Sequence, residues 1–488
     1  MQRSREPKRL QRPTTRFADP AGPADPRGVA SGPHPASFRD PDGFVFRREG
    51  VVHRHVSGPG RVAYDGLMQS GLYEELTEAR LLLPHAEDDV ALSPEPDAYR
   101  VLRPRQLPFI SHPYEWSFNQ LRDAALLTLE IERRALSRGL TLKDASAYNV
   151  QYVDGRSTFI DSLSFAPYVE GTPWAAYRQF CGHFLAPLAL MSRVDLRLGT
   201  LLGHYLDGIP LDLAADLLPR RSRLTVSFGV HIHAHARSSR HHESDTAPEQ
   251  GKRRTMSRQA RMNFVASLEG AVRSCQIPSM RTEWSDYYER TNYSEAGLAT
   301  KGQIVADLVG RVSPSLVWDL GANTGRFSRI CADAGALTVA WDADPVAVDQ
   351  GYRMSRDAPV PNLLPLIVDL MNPSPDRGWM STERAGFFDR PNPDLALGLG
   401  LIHHLAIANN VPLAGIAALF ARVAPSAMVE FVPKEDSQVR RLLATRPDIF
   451  PEYTYEGFRE AFDRPFEWVA SAGVEGSLRR IDLFRRRP

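Results

Sequence analysis

The stretch Leu316-Val317-Trp318-Asp319-Leu320-Gly321-Ala322-Asn323-Thr324-Gly325-Arg326-Phe327 decides how this chain is read. A short apolar run ends in an acid, and a Gly-x-x-x-Gly loop opens a helical pattern (Phe327, Ile330, Cys331, Ala334) that closes at Gly335. A second apolar strand follows at 337–341 and ends in Asp342. Strand, glycine turn, helix, strand and acid make the βαβ unit that holds an adenosine-containing cofactor. Gly321 lets the backbone approach a ligand without a Cβ in the way, and Gly325 lets the helix start lie close to the strand. Asp342 stands 23 residues after Asp319, near the spacing at which an acid reaches ribose hydroxyls.

A dinucleotide site calls for G-x-G-x-x-G, so that helix-start amides meet a pyrophosphate. Here an acid stands at the strand tip, which disfavours a diphosphate and suits a cationic ligand such as the ammonium group of a methionine moiety. The pattern resembles motif I of the class I S-adenosylmethionine-dependent methyltransferases, D-x-G-x-x-x-G, and within them the nodulation-methyltransferase-like group. The resemblance covers about residues 280–488 and implies an α/β fold, a Rossmann-like seven-stranded sheet with S-adenosyl-L-methionine as cofactor. It assigns cofactor binding to Asp319, Gly321, Asn323, Gly325, Asp342 and Asp369, the last as a contact to the adenine amino group. No metal is required by the chemistry.

The rest of that region continues the pattern. Asp344 can cap a helix with Pro345 at its first position. Apolar segments at 363–368 and 394–401 read as the third and fourth strands, and the latter runs into Ile402-His403-His404-Leu405. His403 and His404 are the catalytic candidates, as general base or, more plainly, as pocket lining. A helix over 411–423, a fifth strand at 428–432 and a closing hairpin from 467–472 and 478–484 complete the sheet. Asp319 in isolation would read as a helix cap, and Asp369 equally as a turn residue. Trp284-Ser285-Asp286-Tyr287-Tyr288-Glu289 with Tyr293 reads either as a lid over the cofactor or as a packed helix.

The N-terminal half carries a weaker echo. Asp144 is followed five residues later by Asn149, and Asp161 ends a short strand twelve residues beyond that, with Asp154-Gly155 as the hairpin turn between. This resembles the protein-kinase catalytic loop, D-x-x-x-x-N and its metal-binding Asp, and implies an α+β kinase-like domain. In that template Asp144 is the base, while Asn149 and Asp161 hold Mg²⁺. An apolar helical pattern at 121–136 precedes the loop. The departures are Leu142-Lys143 before the Asp, Ser162-Leu163 after Asp161, and no phosphate-covering glycine loop. Arg54, within 51–56, is the one candidate cation.

The chain has 488 residues, with Lys+Arg 59 against Asp+Glu 58. That near-neutral balance weighs against nucleic acid as a partner. Three widely spaced cysteines favour a reducing compartment, no apolar run reaches membrane-spanning length, and no secretory leader is visible. A cytoplasmic protein with no membrane partner is expected. Residues 1–37, rich in Arg and Pro, read as a disordered tail, and 231–262, rich in His and Arg, as a linker. His231, His233, His235, His241 and His242 have no ordered scaffold there to fix a metal. A kinase-like accessory or substrate domain at 38–230 and a methyltransferase domain at 263–488 remain. The expected activity is methyl transfer to a small-molecule or glycan acceptor, an oxygen acceptor marginally ahead. The alternatives are a phosphotransferase in the N-terminal half or a non-catalytic scaffold. Oligomeric state is not legible.

Overall fold

Alternating apolar and polar residues build a first hairpin, β1 (Gly43–Arg48) and β2 (Val51–Val56), in a computed structural model that describes residues 32–237, 255–277, 282 and 294–488. Its turn is Glu49-Gly50, both at positive φ (53° and 79°), a combination whose twist matches that of the strands. With β3 (His85–Asp88) and β4 (Arg100–Pro104) it forms an antiparallel sheet in the order β1-β2-β4-β3. The chain then runs through 105–117 into the helix Phe118–Ser137, whose Ser117 and Gln120 cap each other reciprocally. Short pairs follow. β5 (Leu140–Leu142) joins β8 (Phe165–Pro167), and β6 (Val150–Val153) joins β7 (Arg156–Phe159) across Asp154-Gly155 at φ 51° and 74°.

The C-terminal half is one sheet of β9 (Leu316–Leu320), β10 (Leu337–Asp342), β11 (Leu363–Ile367), β12 (Leu395–Gly398), β13 (Ser426–Phe431), β14 (Phe466–Gly473) and β15 (Arg480–Arg486). The order is β11-β10-β9-β12-β13-β15-β14. β9 to β13 pair in parallel, and β15 lies antiparallel to both of its neighbours. The chain works outward from β9 to β11 and then returns to β12 on the other side of β9. That switch point opens the crevice in which such sheets bind ligands. The burial of all five residues of β9 follows from helices on both faces.

The two halves share a hydrophobic core instead of standing apart as accessory and catalytic blocks. Phe109 meets Trp318 and Trp341 edge-on at 6.1 and 5.9 Å between ring centroids, and Phe387 packs against both tryptophans. The Asn119 backbone amide and side-chain amide donate to the two oxygens of Asp349 at 2.8 and 2.6 Å. Gln120 Nε2 donates to the Pro365 carbonyl at 3.1 Å. Glu115 and Arg390, each 3% exposed, form a buried ion pair.

The stretch expected as a linker, 231–262, is structured at both ends, and its central residues 238–254, with His241 and His242, lie outside the described residues. A helical turn spans Gly229–Ala234, and the helix Arg258–Ser274 packs against Phe118–Ser137. Burial here runs through polar side chains, which is why no apolar period marks it. His231 bonds Tyr177 (2.9 Å) and Ser267 (3.1 Å), His233 bonds Ser222 (2.7 Å), and buried Arg261 pairs with Glu132. The last part of the expected tail is also structured, with a turn at Pro35–Ser37, while residues 1–31 lie outside the description. Among the described residues no helix is long and apolar enough to cross a membrane.

Candidate functional site at the sheet switch point

The loop after β9 holds three alternating left-handed positions: Gly321 (φ 74°), Asn323 (φ 53°) and Gly325 (φ 79°). A Cβ on Gly321 would sit 3.0 Å from Leu401, and one on Gly351 would meet the Thr324 carbonyl at 2.8 Å. The loop is therefore clasped between the segment after β12 and the helix Pro345–Asp357, with no room for side chains at either glycine.

Asp319 lies at the tip of β9 and is 2% exposed. Ser328 Oγ donates to it at 2.6 Å. Burial pushes its carboxyl up to about 6, against the opposing pull of that bond and of Lys301. Lys301 is itself engaged, bonding buried Glu430 at 2.7 Å. Asp342, at the end of β10, accepts the Asn323 amide at 2.7 Å on one oxygen and the Asp344 amide at 2.9 Å on the other. Desolvation also raises it to about 6. Two acids thus flank the glycine loop, Asp319 buried and Asp342 half-buried, each held in place by short bonds and neither in an ion pair among the described residues.

Asp369 differs. It is exposed at the end of β11, and its side chain accepts the Met371 amide at 2.9 Å, a turn-capping bond. Asp394, at the opposite end of β12, ties the start of β9 by accepting the Ser315 and Leu316 amides. His403 and His404 follow β12 with ring centroids 4.0 Å apart. His403 is buried, and desolvation together with His404 holds its ring well below the ordinary histidine range. His404 is pushed down to about 4 by burial and by Arg479. Both rings are neutral at physiological pH, but such weakly basic groups are poor acceptors for an alcohol proton. The Trp284–Glu289 stretch and Tyr293 lie outside the described residues.

In the N-terminal half the fold brings Asp144, Asn149 and Asp161 together. Asn149 bonds the Asp144 side chain, and burial and Asp161 raise the Asp144 carboxyl. Asp161 accepts Arg54 at 3.0 Å, the Leu163 amide at 2.9 Å and Ser164 Oγ at 2.8 Å. Arg54 also reaches Asp40 at 2.5 Å, and Lys143 pairs with Asp42. Sequence reasoning found Arg54 but missed Asp40, Asp42, Lys301 and Glu430, because no local spacing links any of these to its partner. A long cavity of about 340 Å³ lies beside this cluster, walled by the four-stranded sheet, the 105–112 segment and residues 383–391.

The chain is 36% identical over 472 residues to nodulation protein NoeA of Rhizobium meliloti (strain 1021), a match that spans 95% of this chain and 99% of the relative. The chain belongs to the NoeA family. No family model matches it. Among solved structures it is similar to the magnesium protoporphyrin IX methyltransferase of Synechocystis PCC 6803 (17% identity, 42% of this chain and 93% of that chain, TM-score 0.30). It is similar also to the N-methyltransferase NodS of Bradyrhizobium japonicum WM9 (11% identity, 40% and 99%, TM-score 0.30). The strand order with its reversed β15, rather than these distant likenesses, characterises the C-terminal half of this NoeA-family chain.

Proposed function

We propose that the chain transfers a methyl group from S-adenosyl-L-methionine to a small-molecule or glycan acceptor, with an oxygen acceptor ahead of nitrogen. The observation that carries this reading is the pair of acids, Asp319 buried and Asp342 half-buried and neither ion-paired among the described residues, on either side of the glycine-bounded loop at the switch point. A dinucleotide phosphate would be repelled there. A ligand with an ammonium and a sulfonium at one end and ribose hydroxyls at the other offsets both acids. The residues fit the group: Asp319 faces its cationic end, Asp342 its ribose, and Gly321, Asn323 and Gly325 the backbone approach. Asp369 completes the set as an adenine contact.

When bound, the cofactor supplies an already activated methyl on a good leaving group. The chain's own task is placement and exclusion of water. Asp342 is oriented by two backbone amides, so its remaining lone pairs are fixed before any ligand arrives. Asp319 is oriented by Ser328. His404, neutral and next to Leu401, is a hydrogen-bond partner for the acceptor and not a strong base. The His403 ring lies against it, 4.0 Å between centroids. The near-neutral chain weighs against nucleic acid as the acceptor, and three buried free thiols suit a cytoplasmic setting.

A second reading concerns the N-terminal half, as a kinase-like α+β domain. Its support is the meeting of Asp144, Asn149 and Asp161 beside a cavity, with the four-stranded sheet across it. Phosphotransfer is less favoured, because the Arg54 guanidinium occupies the Asp161 oxygen that would hold Mg²⁺ and the two-residue β1–β2 turn covers no phosphate. Incubation of the full chain with methyl-labelled cofactor and a cell extract tests the main reading. Label in a small-molecule or glycan fraction supports it. If no label moves and calorimetry detects no cofactor binding, it fails.

A further inference from the structure

The long cavity beside Arg54 is a joint product of both halves of the chain. Val45, Arg47 and Arg54 come from the four-stranded sheet, Phe109 and Ile110 from the crossing segment, and Arg384 from the loop between β11 and β12. Its volume of about 340 Å³ falls within the range of sites that enclose a small organic molecule. Aliphatic and aromatic side chains supply most of the wall, as such sites require.

The charge on that wall is unbalanced. Five arginines line it against three carboxylates. Three of the arginines are taken, Arg54 by Asp161, Arg105 by Asp154 and Arg390 by Glu115. Arg47 and Arg384 form no ion pair among the described residues. Arg47 spends one nitrogen on the Gly50 carbonyl at 3.4 Å, while Arg384 lies 4.1 Å over the Tyr148 ring, interacts with its hydroxyl and makes long contacts to the Ala36 and Glu383 carbonyls. The Nε atoms of both, with Arg54 Nε, Arg390 Nε and His85 Nε2, are buried without a hydrogen-bond partner among the described residues. Buried donors are almost always satisfied in folded proteins, and these five nitrogens line one space. His85 and His112, on the same wall, are held neutral by burial and by the neighbouring arginines and add no charge; His85 Nε2 faces the space, while His112 Nε2 already donates to the Ala385 carbonyl at 3.1 Å.

We propose that this cavity is a binding site for a small organic anion with an apolar body, held between Arg47 of the N-terminal half and Arg384 of the C-terminal half. An anion of that kind satisfies the surplus guanidinium donors with charge-assisted bonds, while its body fills the apolar slot toward Phe109 and Ile110. Binding needs no metal, because the recognising groups are all cationic or apolar. It needs the whole chain, because residues 383–391 complete the wall. The site is separate from the switch-point loop and does not depend on the methyl-transfer reading.

A fluorescence titration of the full-length chain with anilinonaphthalene sulfonate, an aromatic body bearing one sulfonate, tests this. Nile red serves as the uncharged control. The expected result is one saturable sulfonate site per chain, unchanged by EDTA and not displaced by S-adenosylmethionine. Arg384→Gln and Arg47→Gln should each weaken the sulfonate about tenfold or more and shift Nile red less than twofold. If a variant loses Nile red as well, Arg384→Lys, which keeps the charge, must restore sulfonate binding. Absence of a saturable site, displacement by the cofactor, equal affinity in the Gln variants, or failure of the Lys variant to rescue would overturn the proposal.

Discussion

The two acidic clusters of this chain use the same residue type in opposite states. At the switch point, buried Asp319 and half-buried Asp342 have hydrogen bonds but no ion pair among the described residues, and desolvation lifts both carboxyls to about 6. In the N-terminal half, Asp161 and Asp40 share Arg54, and Asp42 takes Lys143, while burial still raises Asp40 and Asp144, the latter with no ion pair among the described residues. Acids in the first state weaken the fold and await a cation. Acids in the second are already answered from within the chain and hold the fold together. On paper the spacing D-x-G-x-x-x-G is the stronger signal and the spacing D-x-x-x-x-N with a later Asp the weaker echo. The partners they find in three dimensions distinguish them.

The sharpest test of that contrast is Asp319→Asn. Replacing a buried, unpaired carboxylate with an amide should raise the stability of the ligand-free chain by about 1–2 kcal/mol, since a charge that is costly to bury is gone. The same change should weaken cofactor binding about a hundredfold, the loss of roughly 3 kcal/mol of charge-assisted contact. Urea unfolding and calorimetry read the two effects separately. A variant that loses both stability and binding would make Asp319 a structural acid like Asp161. The mirror experiment is Arg54→Met, which strands Asp161 and Asp40. It should lower stability by about 2–3 kcal/mol, with the pairs only partly solvent-exposed, and leave cofactor binding within about twofold. An unchanged unfolding midpoint would show that those acids are not held by Arg54.

A pH series sharpens the comparison further. Both switch-point carboxyls titrate above their ordinary values, so in the ligand-free chain their burial favours the protonated forms. Stability from this source is fully present below about pH 4 and is lost as pH rises through about 6. Cofactor binding runs the other way, because the cationic end needs Asp319 ionised. Affinity should rise from pH 5 to pH 8, by about tenfold for each carboxyl that must lose its proton, and then level off. Asp319→Asn should remove most of that slope. A flat profile in the parent chain would mean that neither acid faces a cation.

How much of this was legible in the sequence follows from the range of each interaction. The C-terminal sheet is written locally: each apolar run, its terminal acid and the following helix cap lie within a few residues, and the positive-φ positions of the loop coincide with its glycines and Asn323. The hairpin at Asp154-Gly155 is local too. What escaped is what joins distant segments. Arg390 finds Glu115 and Asp349 finds Asn119 across more than two hundred residues, and neither side carries a spacing rule that names the other. The ends of the apparent linker were missed for a different reason. Their buried face is built from His231, His233 and Arg261, residues whose composition reads as solvated even though each has a side-chain partner.

Asp369 is the residue on which the two clusters' contrast is least decided, and its expected effect is the smallest. It stands exposed at the end of β11, at the edge of the crevice, and its side chain already caps the turn at Met371. As a turn cap alone, Asp369→Ala should cost up to about 1 kcal/mol of stability and nothing in affinity. As an adenine contact it should also weaken the cofactor about fivefold, one neutral hydrogen bond near 1 kcal/mol. Asp369→Asn separates the two. The amide oxygen still accepts the Met371 N–H, so the turn survives. A donor in place of an acceptor meets the adenine amino group poorly, so affinity falls. Parent-like stability with about fivefold weaker binding in the Asn variant would place Asp369 with Asp319 and Asp342 as an acid kept for a ligand. Parent-like values of both would place it with the acids the chain has already answered for itself.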